Sequence, residues 1–340
     1  MADVGTGVNM GFRSTEDIRR VAIVGAGVIG SGWAVRCLMQ GLQVVVTDPA
    51  PDAQSRLDAA IDLAWHSLHK AGLPDAASRD GLTFTADLAE ALNGADFVQE
   101  AVPEREQMKI DLFAQVDALT PPDVVIGSST SGLLPTRLQS GCSHPERLVV
   151  GHPFAPVYLL PLVEIVRGDK SSIEAAHAAG RFYEHLGMRP LYVRKEIEAF
   201  VADRLQDALY REALHLINDG VASVEEIDAA ITGGPGMRWA FMGTFMAWHL
   251  GGGPGGMRHT IDQFGPMLEL PWSKLEPPPL TDELKDRIVS GCEREAGERA
   301  FDDLERRRDD CLIAIQKALD DYWYPKDKDG WPAFDPNVLD

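Results

Sequence analysis

The segment 151–166, GHPFAPVYLLPLVEIV, is apolar except for His152, Tyr158 and Glu164. An imidazole within reach of a carboxylate is a common device for moving a proton near neutral pH. The ring takes the proton, and the carboxylate holds the ring and stabilises the imidazolium. The spacing of His152 and Glu164 also fits a surface histidine before a turn and a glutamate ending an edge strand. The elements around the pair decide between these readings.

The most informative element lies upstream. RRVAIVGAGVIGSGWAVRCLMQGLQVVVTDPAPDA reads as strand, tight turn, helix and strand. VAIVG is a short β-branched run of the kind found in buried parallel strands. Val28, Ile29, Trp33, Val35, Leu38 and Met39 then recur at helical spacing up to Gly41. Gly25-x-Gly27-x-x-Gly30 falls on the strand-to-helix turn, the context that a dinucleotide fingerprint requires. Gly25 permits the turn, Gly27 lets the backbone approach a pyrophosphate, and Gly30 lets the helix pack against the strand. Val28 and Ile29 sit within this cofactor loop. Asp48, ending the second strand, is expected to accept from the adenosine ribose hydroxyls. A carboxylate there repels a 2′-phosphate, so the expected cofactor is NAD rather than NADP, and no second motif of the flavin type points to FAD. Beside a nicotinamide, the His–carboxylate pair becomes a base for oxidising an alcohol.

DFVQEAV, DVVIGSS and ERLVVGH are further strand candidates, each preceded by a helical stretch, which implies an open, mostly parallel sheet. After about residue 195 the texture becomes helical, in AFVADRLQDALYREALHLINDG, VEEIDAAITGG, LTDELKDRIVSGCEREAG and LERRRDDCLIAIQKALDDYW. WAFMGTFMAWHL reads as one more helix, between glycine-rich breaks at 233–238 and 251–258. The expected fold class is α/β, with an N-terminal Rossmann dinucleotide-binding domain at 18–196. A mostly α-helical domain for substrate and dimerisation follows at 197–325, with flexible termini at 1–17 and 326–340. At 340 residues, two domains are the default. A net charge of −20 argues against nucleic acid and anionic membranes as partners. No apolar run approaches a membrane span, and the N-terminus has no signal-peptide region. Cys37, Cys142, Cys292 and Cys311 show no paired spacing, which fits a reducing cytoplasm and gives no metal motif.

VAIVGAGVIGSG, QEAVPE, SSTSGL, GHPFAP with PLVEIV, and AFVADRL together resemble the 3-hydroxyacyl-CoA dehydrogenase superfamily over about residues 20–300. The resemblance implies that His152 is the general base and Glu164 orients it. It also implies that Ser131 contacts the substrate oxygen, that Glu104 and Lys109 lie near the ribose and nicotinamide side of the cofactor, and that the chain forms a homodimer. Two positions depart from the family pattern. Ala155 and Asp203 stand where members often carry Asn. Ala155 cannot donate a hydrogen bond to a substrate carbonyl, and an ionised Asp203 suits a hydroxyl or a cation.

GPGMRWAFMGTF, GGMRHTIDQFGP, LELPWSKL and LTDELKDRI resemble the branch of that family acting on L-carnitine, a 3-hydroxy acid with a trimethylammonium at C4. Branches containing a gulonate dehydrogenase and a lens crystallin share less of this half. Such a small-molecule substrate needs a cation for its carboxylate, and Arg238 and Arg258 are candidates for bidentate binding. Trp239, Phe241, Phe245 and Trp248 are candidates for cation–π contacts of about 0.5–2 kcal/mol each, with Asp203 adding charge attraction. An apolar helix such as 239–250 is nevertheless more often core or dimer interface than ligand cage. The alternatives are an acyl-CoA, for which this acidic chain shows no obvious basic cluster to hold a 3′-phosphate, and a sugar acid such as gulonate. A non-catalytic protein is weighed against by His152, Glu164, Ser131 and the complete fingerprint.

Overall fold

The computed structural model describes residues 11–270, 273–274, 276–325 and 335–339. Of the termini expected to be flexible, 1–10, 326–334 and 340 lie outside the described residues, as do positions 271, 272 and 275 of LELPWSKL. The chain forms two compact units, Met1–Val201 with Ala333–Asp340, and Ala202–Pro332. The boundary therefore lies between Val201 and Ala202, beyond the 196/197 expected from the sequence.

The β-branched runs of the first unit become strands: β1 (Arg20–Val24), β2 (Gln43–Thr47), β3 (Leu82–Thr85), β4 (Phe97–Glu100), β5 (Val125–Ser128), β6 (Leu148–Pro153), β7 (Leu162–Arg167) and β8 (Arg189–Val193). Between them run α1 (Val28–Met39), α2 (Ala53–Ala71), α3 (Leu88–Leu92), α4 (Glu106–Leu119), α5 (Pro135–Leu138) and α6 (Ile173–His185). The strands make one eight-stranded sheet in the order β3-β2-β1-β4-β5-β6-β7-β8. The order reverses between β1 and β4, and the crevice beyond the carboxyl ends of strands at such a switch point is where open α/β sheets bind ligands. One face of the sheet packs Val98, Ile126 and Leu148 against Phe113 and Val116 of α4.

Among the described strand pairs, only β6 and β7 run antiparallel, and they place His152 directly opposite Glu164. The intervening link, 154–161, carries Pro156 and Pro161 and contains no helix, so the chain turns back on itself instead of crossing over. Arg36 of α1, itself buried, holds that link: its Nε donates to Val157 O and its Nη2 to Leu160 O, both at 3.0 Å.

The turn before β6 has its own latch. Arg147, fully buried, donates from Nε and Nη2 to Asp117 Oδ1 on α4 at 3.0 and 2.7 Å. Asp117 Oδ2 accepts from the backbone N–H of Ser143 and His144 at 2.6 and 3.0 Å. β3 and β8, one short and polar-flanked and the other interrupted by proline, were not among the strands expected. β7 was expected only as an edge strand ended by Glu164, whereas it lies between β6 and β8 and runs on to Arg167.

The second unit is helical: α7 (Ala202–Asn218), α8 (Val224–Thr232), α9 (Pro235–Trp239), α10 (Thr244–Gly251), α11 (Gly256–Phe264), α12 (Asp282–Ala296) and α13 (Phe301–Ala318). A reciprocal Ser223–Glu226 capping box starts α8, and Thr281 caps α12. Ile217, Val224 and Leu284 join α7, α8 and α12 in a small core. The single helix expected over 239–250 is instead two. The chain leaves α9 through a turn in which Phe241 N–H and Met242 N–H both return to Arg238 O, and Gly243 opens α10. Apolar residues continue across the break, so hydropathy hides it. In the C-terminal segment, Pro336–Leu339 forms a short turn on the first unit, with Leu339 O accepting from Arg167 Nη2 at 3.1 Å. Among the described residues, no helix is long and apolar enough to cross a membrane.

The Asp117 latch predicts an acid dependence. Burial alone would raise the Asp117 carboxyl, but Arg147 and the two N–H groups outweigh it and hold the group below its ordinary range. A depressed folded pKa stabilises above the unfolded value and loses that stabilisation as pH falls. Asp117→Asn should therefore lower the unfolding free energy by about 3–5 kcal/mol near neutral pH, as expected for a stranded buried partner. The deficit should narrow below about pH 4. Urea denaturation of both proteins across that pH range measures it.

Candidate active site

His152 is 3% exposed and Glu164 is fully buried. Cross-strand register brings them together: His152 Nδ1 lies 2.9 Å from Glu164 Oε2. With Nδ1–H donated to the carboxylate, the neutral ring carries its lone pair on Nε2, the atom able to take a proton. The other oxygen, Oε1, accepts from Val201 N–H at 3.0 Å. Phe154 and Phe200 flank the imidazole with ring centroids 4.7 and 5.6 Å away. A base between aromatic rings and a fixed carboxylate is held in one orientation and shielded from water.

The fingerprint loop has the form that its glycines anticipate. Gly25 has φ +108°, and a Cβ there would lie 2.5 Å from Ala101 O. A Cβ on Gly30 would overlap Gly25 O, so only glycine lets α1 pack on β1. Gly27 faces open space among the described residues, and no side chain caps α1. Its first N–H groups, flanked by exposed Val28 and half-buried Ile29, are therefore available to an anion. Asp48 ties the loop to β2, Oδ2 accepting from Ala26 N–H and Oδ1 from Ala50 N–H, each at 2.9 Å. Beside them is a cavity of about 810 Å³ whose lining includes Gly25, Asp48, Ala86, Val102 and Leu112. That size suits a small-molecule pocket. An acceptor carboxylate at the mouth of an apolar cavity, next to an uncapped helix N-terminus, fits the adenosine and pyrophosphate of NAD.

A buried ionic network braces the SSTSGL turn. Lys109, 1% exposed, bridges Glu100 Oε1 at 2.6 Å and Glu104 Oε2 at 3.2 Å. Glu100 Oε2 accepts from Ser128 Oγ at 2.6 Å. Glu104 Oε1 accepts from the Thr130 hydroxyl and, at 3.0 Å, from Ser131 N–H. Lys109 thus acts inside the protein through two carboxylates, while Glu104 and exposed Ser131 face outward from the same turn. Burial raises the Glu100 carboxyl above its ordinary range, and Lys109, Ser128 and the Val102 N–H oppose that shift. On the opposite side of the turn, Ser129 Oγ accepts from Trp33 Nε1 and Gln99 Nε2, and Gln99 Oε1 accepts from Tyr183.

The structure therefore brings His152 to Glu164, Asp48 to the glycine loop, and Ser131 to Glu104 and Lys109. Ala155 is exposed at the start of the link that leaves β6. The remaining candidates belong to the second unit. Asp203 lies in the first turn of α7. Arg238 and Arg258 are exposed on α9 and α11, with no ion pair among the described residues. Trp239, Phe245 and Trp248 are 43%, 78% and 51% exposed. Phe241 meets Trp323 and Trp248 meets Phe264, but no two of the four candidate rings stack on each other. Glu100, Arg36 and Phe200 were not singled out in the sequence. Glu100 stood within the quoted QEAVPE motif, and a charged residue ending a strand, beside Gln99 and before the apolar Ala101 and Val102, was the available signal.

Residues 20–197 match the NAD binding domain of 3-hydroxyacyl-CoA dehydrogenase, and residues 200–297 match its C-terminal domain. The chain is 53% identical over 306 residues to an L-carnitine dehydrogenase of Oceanobacillus iheyensis, covering 90% of this chain and 100% of that one. It is 55% identical over 303 residues to an L-carnitine dehydrogenase of Pseudomonas aeruginosa, covering 89% and 94%. Among solved structures, it resembles 5-formyl-3-hydroxy-2-methylpyridine 4-carboxylic acid 5-dehydrogenase, an NAD+ dependent dismutase. The TM-score is 0.77 at 30% identity, covering 89% of this chain and 99% of that one.

Lys109→Met should strand Glu100 in the interior and lower stability by about 3–5 kcal/mol near pH 8. Because burial raises the folded pKa of Glu100, stability is retained at low pH and lost as pH rises through that value. The deficit should therefore shrink near pH 5, and denaturant melts at about these two pH values test the difference.

Proposed function

The chain belongs to the 3-hydroxyacyl-CoA dehydrogenase family, and from that membership we propose that it oxidises L-carnitine to 3-dehydrocarnitine with NAD, His152 acting as the base. The observation that carries the substrate assignment is identity above 50% to L-carnitine dehydrogenases over about nine-tenths of the chain. The assignment of the base rests on the buried His152–Glu164 pair.

The glycine loop, the α1 N-terminus and Asp48 would hold NAD, which when bound would supply the hydride acceptor for the carbinol carbon. His152 Nε2 takes the hydroxyl proton, leaving the 3-keto product. Glu164 keeps Nδ1–H in place and stabilises the imidazolium that forms. Ser131 donates to the substrate oxygen, with its turn fixed through Glu104. Arg238 and Arg258 bind the substrate carboxylate, while Asp203 and the aromatic residues Trp239, Phe241, Phe245 and Trp248 favour the trimethylammonium. Ala155 leaves room beside the base where a family Asn would project.

The protein acts as a homodimer in the cytoplasm. Exposed Leu205, Leu250 and Tyr322, at 65%, 55% and 85%, give the helical unit apolar surface that a second copy would cover. The free thiols of Cys37, Cys142, Cys292 and Cys311 suit a reducing compartment.

The test is NADH formation with NAD and L-carnitine, beside D-carnitine, L-gulonate and 3-hydroxybutyryl-CoA. Turnover of L-carnitine alone is expected; turnover of gulonate or the acyl-CoA instead would keep the base and replace the substrate. His152→Gln should lower kcat by about 10²–10⁴-fold with NADH binding intact by fluorescence titration. Ala155→Asn should lower kcat/KM for L-carnitine by about tenfold, the scale of a crowded pocket. Unchanged or improved kinetics would show that Ala155 sets no limit on the substrate.

A further inference from the structure

The first unit ends at Ala199, Phe200 and Val201, and the chain then enters α7. Ala199 and Phe200 have φ values of 59° and 49°, the only non-glycine residues with positive φ among those described. A Cβ disfavours this left-handed conformation, so two in succession persist only where the surroundings hold them.

Those surroundings are the parts of the candidate active site. Phe200 is fully buried among Val150 and Val166, on the strands that carry His152 and Glu164, and Val193 of β8. Its ring lies 5.6 Å from the imidazole, inclined at 58°. Val201 N–H donates to Glu164 Oε1 at 3.0 Å, while Oε2 faces His152 Nδ1 at 2.9 Å. The SSTSGL turn passes alongside, since a Cβ on Gly132 would lie 3.3 Å from Ala199 N.

We infer that Phe200 and Val201 are positioning residues for proton transfer, and that the left-handed connection into the second unit fixes the orientation of the base. The inference rests on His152 being that base. A carboxylate held only by an imidazole can rotate and tilt the ring with it. Anchoring its second oxygen to Val201 N–H removes that freedom, and Phe200 prevents the ring from turning away. The direction of Nε2 is then restrained by this stretch of backbone. Proton transfer depends steeply on such alignment, a misplacement of about 1 Å costing up to about 100-fold.

The experiment compares Phe200→Ala, Phe200→Leu, Ala199→Gly and His152→Gln in the full chain, using NAD and L-carnitine. Each variant is also tested for NADH binding and thermal unfolding. Phe200→Ala should lower kcat by about tenfold or more, with KM for NAD and NADH affinity unchanged. Phe200→Leu, which retains the apolar bulk, should recover most of that loss. Ala199→Gly relieves the left-handed strain, so its melting temperature should hold or rise while kcat falls by about two- to fivefold. A variant that is no less stable yet slower is not explained by a purely structural role. If Phe200→Ala does not fold, Ala199→Gly decides.

Wild-type kcat in a folded Phe200→Ala, or in Ala199→Gly, with His152→Gln inactive, overturns the positioning role and leaves the base in place. Wild-type turnover in His152→Gln removes the base, and the positioning role with it.

Discussion

The candidate active site depends on one reversal of chain direction. Each of the other neighbouring strand pairs described in this sheet is parallel, and joining parallel strands takes a crossover that separates their residues widely in sequence. β6 and β7 are joined directly, and antiparallel register then makes residues equidistant from the turn face each other: Val150 opposite Val166, His152 opposite Glu164. Directly opposed side chains share a face of the sheet. The base and its carboxylate are thus carried on two hydrogen-bonded strands and inherit the rigidity of the sheet.

The same region concentrates buried charge. Removing an ion from water costs several kcal/mol unless partners compensate, so each buried ion needs a structural reason. Lys109 and Glu100 secure the turn after β5, Arg147 and Asp117 secure the turn before β6, and Arg36 secures the link after it. Each tethers irregular backbone, whose carbonyls and N–H groups have no ladder partners of their own. Arg36 is the clearest case: its hydrogen-bond acceptors are two main-chain carbonyls, and burial lowers its pKa to about 10. Hydrophobic contact cannot place a loop with comparable directionality, which suits hydrogen bonds to this task near reacting groups.

Local sequence carried the dinucleotide loop because its demands are local: a turn at Gly25, a close approach at Gly30 and a carboxylate at the next strand end. The His152–Glu164 pair was legible as chemistry, but the register that joins it was not, since PLVEIV opens with a proline and RPLYV contains one. Both nevertheless became strands, because tertiary pairing overrides weak local preference. The run 239–250 misled in the opposite direction. Its hydropathy is continuous, and the break at Gly243 depends on backbone geometry that hydropathy does not register. Glu100, Arg36 and Phe200 escaped notice because their roles are defined by residues distant in sequence: Ser128, Val157 and His152.

The connection at Ala199–Val201 shows how such long-range constraint is held. Two left-handed non-glycine residues together cost about 2–4 kcal/mol. Burying the Phe200 side chain returns about 1.5–3 kcal/mol, and a hydrogen bond to a charged carboxylate about 1.5–3 kcal/mol. The two gains together, about 3–6 kcal/mol, cover the strain, so the conformation stands because Phe200 and Val201 reach Val150, Val166, His152 and Glu164. The dependence runs both ways. Withdrawing the connection would remove the Val201 hydrogen bond to Glu164 and the Phe200 ring beside the imidazole, and displacing Glu164 would remove a contact that keeps Ala199 and Phe200 left-handed. The conformation of the link and the orientation of the base are therefore coupled, which gives a reason for strain to persist at this point in the chain.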